Sequence, residues 1–299
     1  MYQYIAVTLI ELIFPKFETL EKFRESSLNF QKYFTLEKFK MVLMPLCEWL
    51  FCLSSTKISY MLVHTNAIVI SALKYAEADL IVKCYTQKAG LKSYMLRGIL
   101  KSKRGKFKAS LFQPLTQLEL EAKHKNKGGL EYLQEAKILF PYQTLHTQVV
   151  KSAMVLFISE ILKNSIQEEE QNESLYGYLE NSLNWLDNNQ NIANFHLLFL
   201  LKLTSYLGFY PDYENMEFNY FNLLDGVFCD SKLNDYCIEG SNLTLLKQLL
   251  GTNFDELNLL KLNQIHRSNF LGILLDYYQL HIESFKRPKS LSVLNEIFN

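Results

Sequence analysis

Apolar and polar positions along the 299-residue chain follow two rhythms, one after the other. The stretch Leu62 to Leu73 is rich in Val, Ile and Thr, so that MLVHTNAIVISALKY reads as a strand entering a bend. Asp79 to Thr86, DLIVKCYT, is a second strand. Leu91 to Arg97, LKSYMLR, is a third, joined to the second as a hairpin by the short turn Lys88-Ala89-Gly90. After the glycines and lysines of Gly98 to Lys108 come LFQPLTQLELEA, Leu111 to Ala122, and LEYLQEAKILF, Leu130 to Phe140, separated by the turn-like KHKNKGG. Five short strands in so small a segment predict a closed barrel rather than an open sheet, because closure removes edges that could pair with other chains. The oligonucleotide-binding (OB) fold is the natural candidate, and an SH3-like barrel gives much the same pattern.

Beyond Pro141 the apolar residues recur three and four apart. Leu145 to Ile166, Ser174 to Leu186 and Ile192 to Leu207 are predicted helices, the last ended by Gly208 with Pro211 just after it. Phe218 to Ile238 is short, aromatic and turn-like. Asn242 to Leu250, Asp255 to Leu260 and Gln264 to Ile282 read as further helices, with Asn253 or Asp255 as a cap. The chain is therefore expected to be α+β and multidomain: a barrel over 61–140, then a helical domain over 141–299 with a small irregular insertion at about 215–240.

Composition changes this picture in one respect. Basic and acidic residues balance at 31 each, yet cutting at residues 60 and 150 gives parts of about +1, +8 and −9, the barrel carrying the excess of Lys and Arg. That asymmetry points to a polyanion on the barrel and excludes the acidic helices as its surface. The five cysteines are odd in number and irregular in spacing, which fits a reducing cytoplasm better than a disulfide framework. The start MYQYIAVTLIELIF lacks the basic n-region and small-residue cleavage site of a signal peptide. The run Met41 to Leu53 is too short to span a bilayer and contains Pro45 and Glu48, so no membrane anchor is expected.

No Asp or Glu occurs between residues 80 and 118, where Lys83, Lys88, Lys92, Arg97, Lys101, Lys103, Arg104, Lys106 and Lys108 all fall. Lys123, His124, Lys125 and Lys127 follow on the next turn. Such clusters bind phosphate chains by releasing condensed counterions; the plainer alternative is a solvated loop. Tyr85, Tyr94, Phe107 and Phe112 interleave with the charges and offer stacking surfaces for bases, although strand aromatics usually point into a core. Alternation places Lys83 and Tyr85 on one face, opposite Val82 and Cys84, which makes Tyr85 the preferred stacking residue and Phe112 a core residue.

Catalytic chemistry finds no footing. There is no G-x-S-x-G, no Walker A loop and no G-x-G-x-x-G after a strand. Cys229 and Cys237 could suggest a zinc knuckle, but no C-x-x-C or nearby histidine pair completes four ligands. The six histidines form no i, i+4 pair, and His196 reads as a core or boundary histidine. Glu168, Glu169 and Glu170 point in different directions on a helix and read as a solvated terminus. Neither catalytic residue, metal nor cofactor is expected.

The stretch from Met61 to Gly105, then LFQPLTQLELEAKHKNKGGLEYLQEAKI and IANFHLLFLLKLTSYLGFYPD, resembles the RecO family of bacterial DNA repair and recombination mediators, most closely its Bacteroidetes-type members. The resemblance runs from Met61 nearly to the C-terminus. It implies an OB-fold barrel followed by a helical domain with a zinc-finger-like insertion. It also implies binding of single- and double-stranded DNA, strand annealing, contacts with RecR and with the C-terminal tail of the single-strand-binding protein SSB, and help in loading RecA. Phosphate contact falls to Lys83, Lys92, Arg97 and the Lys101 to Lys108 loop, and Lys202 and Arg267 are candidates for the SSB tail. Many relatives carry four zinc cysteines where this chain has Cys229 and Cys237, and the DGVF turn at Asp225 to Phe228 stands where that insertion begins. Residues 1–60 have no counterpart in the resemblance and are read as translation from an upstream in-frame start, the other reading being a genuine helical appendage. A nucleoid-associated cytoplasmic protein is implied. An RNA-binding OB module and a purely protein-binding scaffold remain open beside the DNA reading.

Overall fold

Five strands open the described part of the chain: β1 (Met61–Tyr75), β2 (Asp79–Thr86), β3 (Gly90–Leu96), β4 (Gln117–His124) and β5 (Leu130–Ile138). The structure is a computed structural model that describes residues 61–101, 105–125, 129–167 and 170–298. The segment 1–60, with both readings of it, lies outside the described residues, as do Lys103, Arg104 and Lys127.

The strands close into a barrel in the order β1-β2-β3-β5-β4, every pair antiparallel except β3 with β5. This is the OB-like arrangement. β1 is long enough to serve two partners: Met61 to Ile68 pairs with β4 and Ala67 to Tyr75 with β2. A bulge between Val69 and Ser71 turns the strand from one partner to the other. The expected strand over 111–122 begins only at Gln117. Ahead of it, Ala109–Phe112 is a turn of 3-10 helix that seats Phe112 in the barrel, edge-on to Phe107 at 6.1 Å. Leu115 then takes a left-handed φ of 61°, its N–H donating to Val69 O at 2.7 Å, a geometry that no ladder can continue.

Period-two alternation divides the strands between two cores. Ala67, Val69, Val82, Cys84, Tyr94, Leu118 and Leu120 fill the barrel. Their neighbours Ile68, Ile70 and Tyr85 point outward and belong to the core of the helical part. The described residues thus fold as one compact unit.

Six helices follow: α1 (Val149–Ser165), α2 (Glu173–Asn188), α3 (Phe195–Leu207), α4 (Gly240–Leu250), α5 (Gln264–His281) and α6 (Leu291–Ile297). α3 is apolar nearly all round and buried along its length, as a central helix must be. Gly208 ends it at φ 86°, the left-handed cap read from the sequence. Asn253 does cap, forming a capping box with Glu256, but the segment it starts, Phe254–Leu259, is 3-10 rather than α. The aromatic stretch before α4 is a small antiparallel sheet of β6 (Tyr220–Asn222), β7 (Val227–Cys229) and β8 (Cys237–Ile238), with β6 in the centre. α6 has no counterpart in the sequence reading, its seven residues being too short for a periodic signal.

Polar clamps fix barrel to helices. Ser159 Oγ donates to Ile70 O at 2.7 Å, and Gln117 Nε2 donates to Tyr142 Oη (2.8 Å) and Asn184 Oδ1 (3.0 Å). Asp187, at the end of α2, accepts the backbone N–H groups of Gln143, Thr144 and Leu145. Buried Lys151 donates to Thr144 Oγ1 and to Asp187 O, both at 2.7 Å. Among the described residues no helix is long and apolar enough to cross a membrane.

Candidate nucleic-acid interface

Strand polarity decides where the basic residues lie, because consecutive turns fall at opposite ends of a barrel. Arg97, Lys101, Lys106 and Lys108 follow β3 and gather at the end that also holds the β1–β2 turn. There Gly98 N donates to Asp79 Oδ1 at 2.7 Å, and Lys101 Nζ meets Glu77 Oε2 at 2.7 Å, an exposed pair worth about 0–1 kcal/mol. Lys106 and Lys108 are exposed, with Lys106 Nζ 5.9 Å from the centre of the Phe107 ring.

Lys88 and Lys92 lie at the other end. A cleft of about 580 Å³ opens there, lined by Met61, Leu62, His64, Lys88, Lys92 and His124. Behind it runs a buried polar chain. Tyr94 Oη and His124 Nε2 are 2.9 Å apart, and Glu131, also buried, accepts from Lys125 N at 2.8 Å. Burial lowers the pKa of His124; Glu131 opposes that shift and Lys92 adds to it. Lys92 stands directly across from Cys84, so its stem follows the inward-facing row of β3 and its position is at the barrel mouth.

The remaining candidates lie on β2 and at the end of β4. Lys83, half-buried, sits between Ser71 on β1 and Ser93 on β3. Lys123, exposed, sits between Leu62 on β1 and Tyr132 on β5. The candidate positions therefore do not form one patch. Those described fall at the two barrel ends, Lys123 beside the end that holds Lys88 and Lys92, while Lys83 lies on the outer face of β2, part of the surface with which OB barrels engage oligonucleotides.

Tyr85 requires a correction. Its side chain is 1% exposed, and its hydroxyl donates to Asn172 O at 3.4 Å. It does share the outer face of β2 with Lys83, as alternation requires, but the helical part covers that half of the face, so Tyr85 cannot stack on a base. Tyr94 and Phe112 are buried in the barrel and Phe107 is half-buried against it.

The aromatic that the face does present is Tyr132, 54% exposed and paired across the strands with Lys123. Sequence reasoning missed it. In LEYLQEAKI the apolar-inward rule would turn Leu130 and Tyr132 into the barrel, whereas Glu131 and Leu133 point in. The signal lay in Glu131, whose buried carboxylate meets the Lys125 N–H at the mouth and so fixes the register.

Lys202 and Arg267 are engaged within the helical part. Lys202 Nζ donates to Asn253 Oδ1 (3.0 Å) over the Phe254 ring, and Arg267 Nε donates to Asn194 Oδ1 (3.2 Å) over Phe298. Burial lowers the pKa of both.

The zinc that the insertion's resemblance implies does not fit the residues present. Cys229 and Cys237 lie on strands either side of β6. Burial, then the adjacent Cys237 thiol, raises the pKa of Cys229, which works against the thiolate a metal would need. Among the described residues no group of three His, Cys, Asp or Glu side chains is placed to hold an ion.

A family model described as recombination protein O N terminal matches residues 61–142, and one described as recombination protein O C terminal matches residues 146–291. The DNA repair protein RecO of Christiangramia forsetii is 61% identical over 238 residues, 80% of this chain and 100% of the relative. The proteins of the same name from Flavobacterium psychrophilum and Bacteroides fragilis are 49% and 36% identical over 239 and 243 residues, again 80% of this chain and 100% of each relative.

Proposed function

The chain belongs to the RecO family of DNA repair proteins, and on that premise we propose that it is a recombination mediator whose barrel holds DNA. In this reading the phosphates of a single or double strand run along the outer surface of β2, β3 and β5 and meet basic clusters at both barrel ends. Lys83 binds the chain in mid-path, and Tyr132 gives an unstacked base a platform beside Lys123 at the cleft end. The role is positional, with no bond made or broken: two complementary strands held extended on one cationic surface repel each other less and anneal faster. The SSB tail, RecR and, through them, RecA are the protein partners of this reading, and the nucleoid is its place of action.

The observation that carries the proposal is the pairing of exposed Tyr132 with exposed Lys123 on the outer surface of β5 and β4, beside the basic cleft end of the barrel. Strand annealing on SSB-coated DNA tests it. The K83A/K123A/Y132A protein is expected to retain its melting temperature within a few degrees and to anneal at least tenfold more slowly. Undiminished annealing by that protein would place the DNA elsewhere.

A further inference from the structure

Two turns of the small sheet share a spacing and an Asx hydrogen bond. Asn222-Leu223-Leu224-Asp225 leads from β6 toward β7, and Asn234-Asp235-Tyr236-Cys237 leads into β8. In the first, Asn222 Oδ1 accepts from Leu224 N at 3.1 Å and Asn222 O accepts from Gly226 N at 2.9 Å. In the second, Asn234 Oδ1 accepts from Tyr236 N at 2.8 Å and Asn234 O accepts from Cys237 N at 3.3 Å. Leu223 N, donating to Tyr236 O at 3.1 Å, holds the two turns face to face.

The side chains at the first and fourth positions of both turns then converge. Asn222 Nδ2 donates to Asp225 Oδ2 at 2.5 Å, and Asn234 Nδ2 donates to Asn222 Oδ1 at 3.2 Å. The Cys237 thiol donates to Asn234 Oδ1 at 3.8 Å. Two facing turns, each with a pair of polar residues three apart, are the framework on which structural zinc sites set their four ligands. A metal needs four lone pairs aimed at one point and prefers thiolate or imidazole. Here two carboxamides, one carboxylate and one thiol supply donors as well as acceptors, and each is turned toward another member of the set. Asn222 is buried, so its amide must be satisfied, and Asp225, Asn234 and Leu224 N satisfy it.

We propose that Asn222, Asp225, Asn234 and Cys237 form a hydrogen-bonded cluster that closes the insertion and holds its shape without any ion. Asn222 is its hub, bonded to the first turn through its own Asx geometry and to the second through Asn234.

Three measurements on the full chain test this. The wild-type protein is expected to contain well under a tenth of an equivalent of zinc and to melt at the same temperature with and without EDTA; stoichiometric zinc, or a melting point lowered by the chelator, overturns the proposal. Asn222→Ala is expected to lower the melting temperature by several degrees, and an unchanged value removes the hub. The N222C/D225C/N234C protein, made in a C229S background so that the neighbouring thiol cannot ligate, presents four thiols with native Cys237. Titrated with Co²⁺, it is expected to take up one ion per chain with the intense visible bands of tetrahedral thiolate coordination. A folded triple variant that develops no such bands shows that the four positions do not share a centre. Should that variant fail to fold, the zinc content and the Asn222→Ala melting point still decide the matter.

Discussion

Tyr85 and Tyr132 carry the same side chain on outer faces of one barrel, and burial alone assigns them different tasks. Tyr85 packs into the helical core with Ile68 and Ile70, whereas Tyr132 stands beside Lys123 in solvent. Tyr85→Ala is expected to cost about 3–5 kcal/mol in urea unfolding, the range for emptying a buried aromatic site. Tyr132→Ala should leave stability within about 0.5 kcal/mol and weaken single-strand binding by about 1–3 kcal/mol, measured by fluorescence anisotropy. A Tyr132→Ala protein that binds as tightly as wild type removes the stacking role. His196 gives a second residue-scale expectation. Burial between Phe157 and Phe298, with Arg267 adding to it, pushes its imidazole down to about 3, so the folded chain holds it neutral while the unfolded chain would take a proton. Its contribution is complete above the ordinary imidazole pKa near 6.5 and is lost as pH falls from there toward 3, at up to about 1.4 kcal/mol per pH unit. Urea midpoints at pH 7, 6, 5 and 4 are expected to fall less steeply in His196→Leu than in wild type; parallel slopes would show that His196 is not the group being titrated.

Short elements succeed here where a neighbouring element fixes one atom of the turn. Gly226 joins β6 to β7 at φ 69°, and a Cβ there would lie 2.7 Å from Tyr277 Oη. That hydroxyl is committed, donating to Phe209 O at 2.8 Å, so it cannot swing aside without losing its acceptor. Gly226→Ala is therefore expected to destabilise by at least about 1–2 kcal/mol from backbone strain and collision together. Adding Tyr277→Phe removes the collision but not the strain, so the double variant should be more stable than the sum of the single effects predicts. Simple additivity in that cycle would mean that the side chains do not meet. The same dependence on neighbours explains β4. Its predicted start at Leu111 fails because Leu115 is pinned to Val69 in a left-handed conformation, a contact with β1 that no local propensity encodes.

Across the whole molecule the barrel divides its basic residues between two ends, and the salt dependence of DNA binding reports how many of them a strand reaches. Replacing Arg97, Lys101, Lys106 and Lys108 by Ala, or separately Lys88, Lys92, Lys123 and Lys125, is expected to flatten the plot of log affinity against log salt by about 0.7 per lost contact for single strands. If only one set changes the slope, the strand stays at one end and the path across the face is wrong. Much of this was written locally. The Val- and Ile-rich runs and the Gly turns marked β1, β2, β3 and β5, the 3.6-residue period marked α1, α2, α3 and α5, and the run free of carboxylates marked the barrel as the basic part. These features depend on residues within a few positions of one another, so a sequence carries them outright. Tertiary structure decided which outer faces stay open, because the helical core takes in Tyr85 yet leaves Tyr132 exposed, and which lysines become neighbours, because strands running in opposite directions send adjacent turns to opposite ends. Both outcomes depend on contacts between residues far apart in the chain, where side-chain alternation fixes the face but not what lies against it.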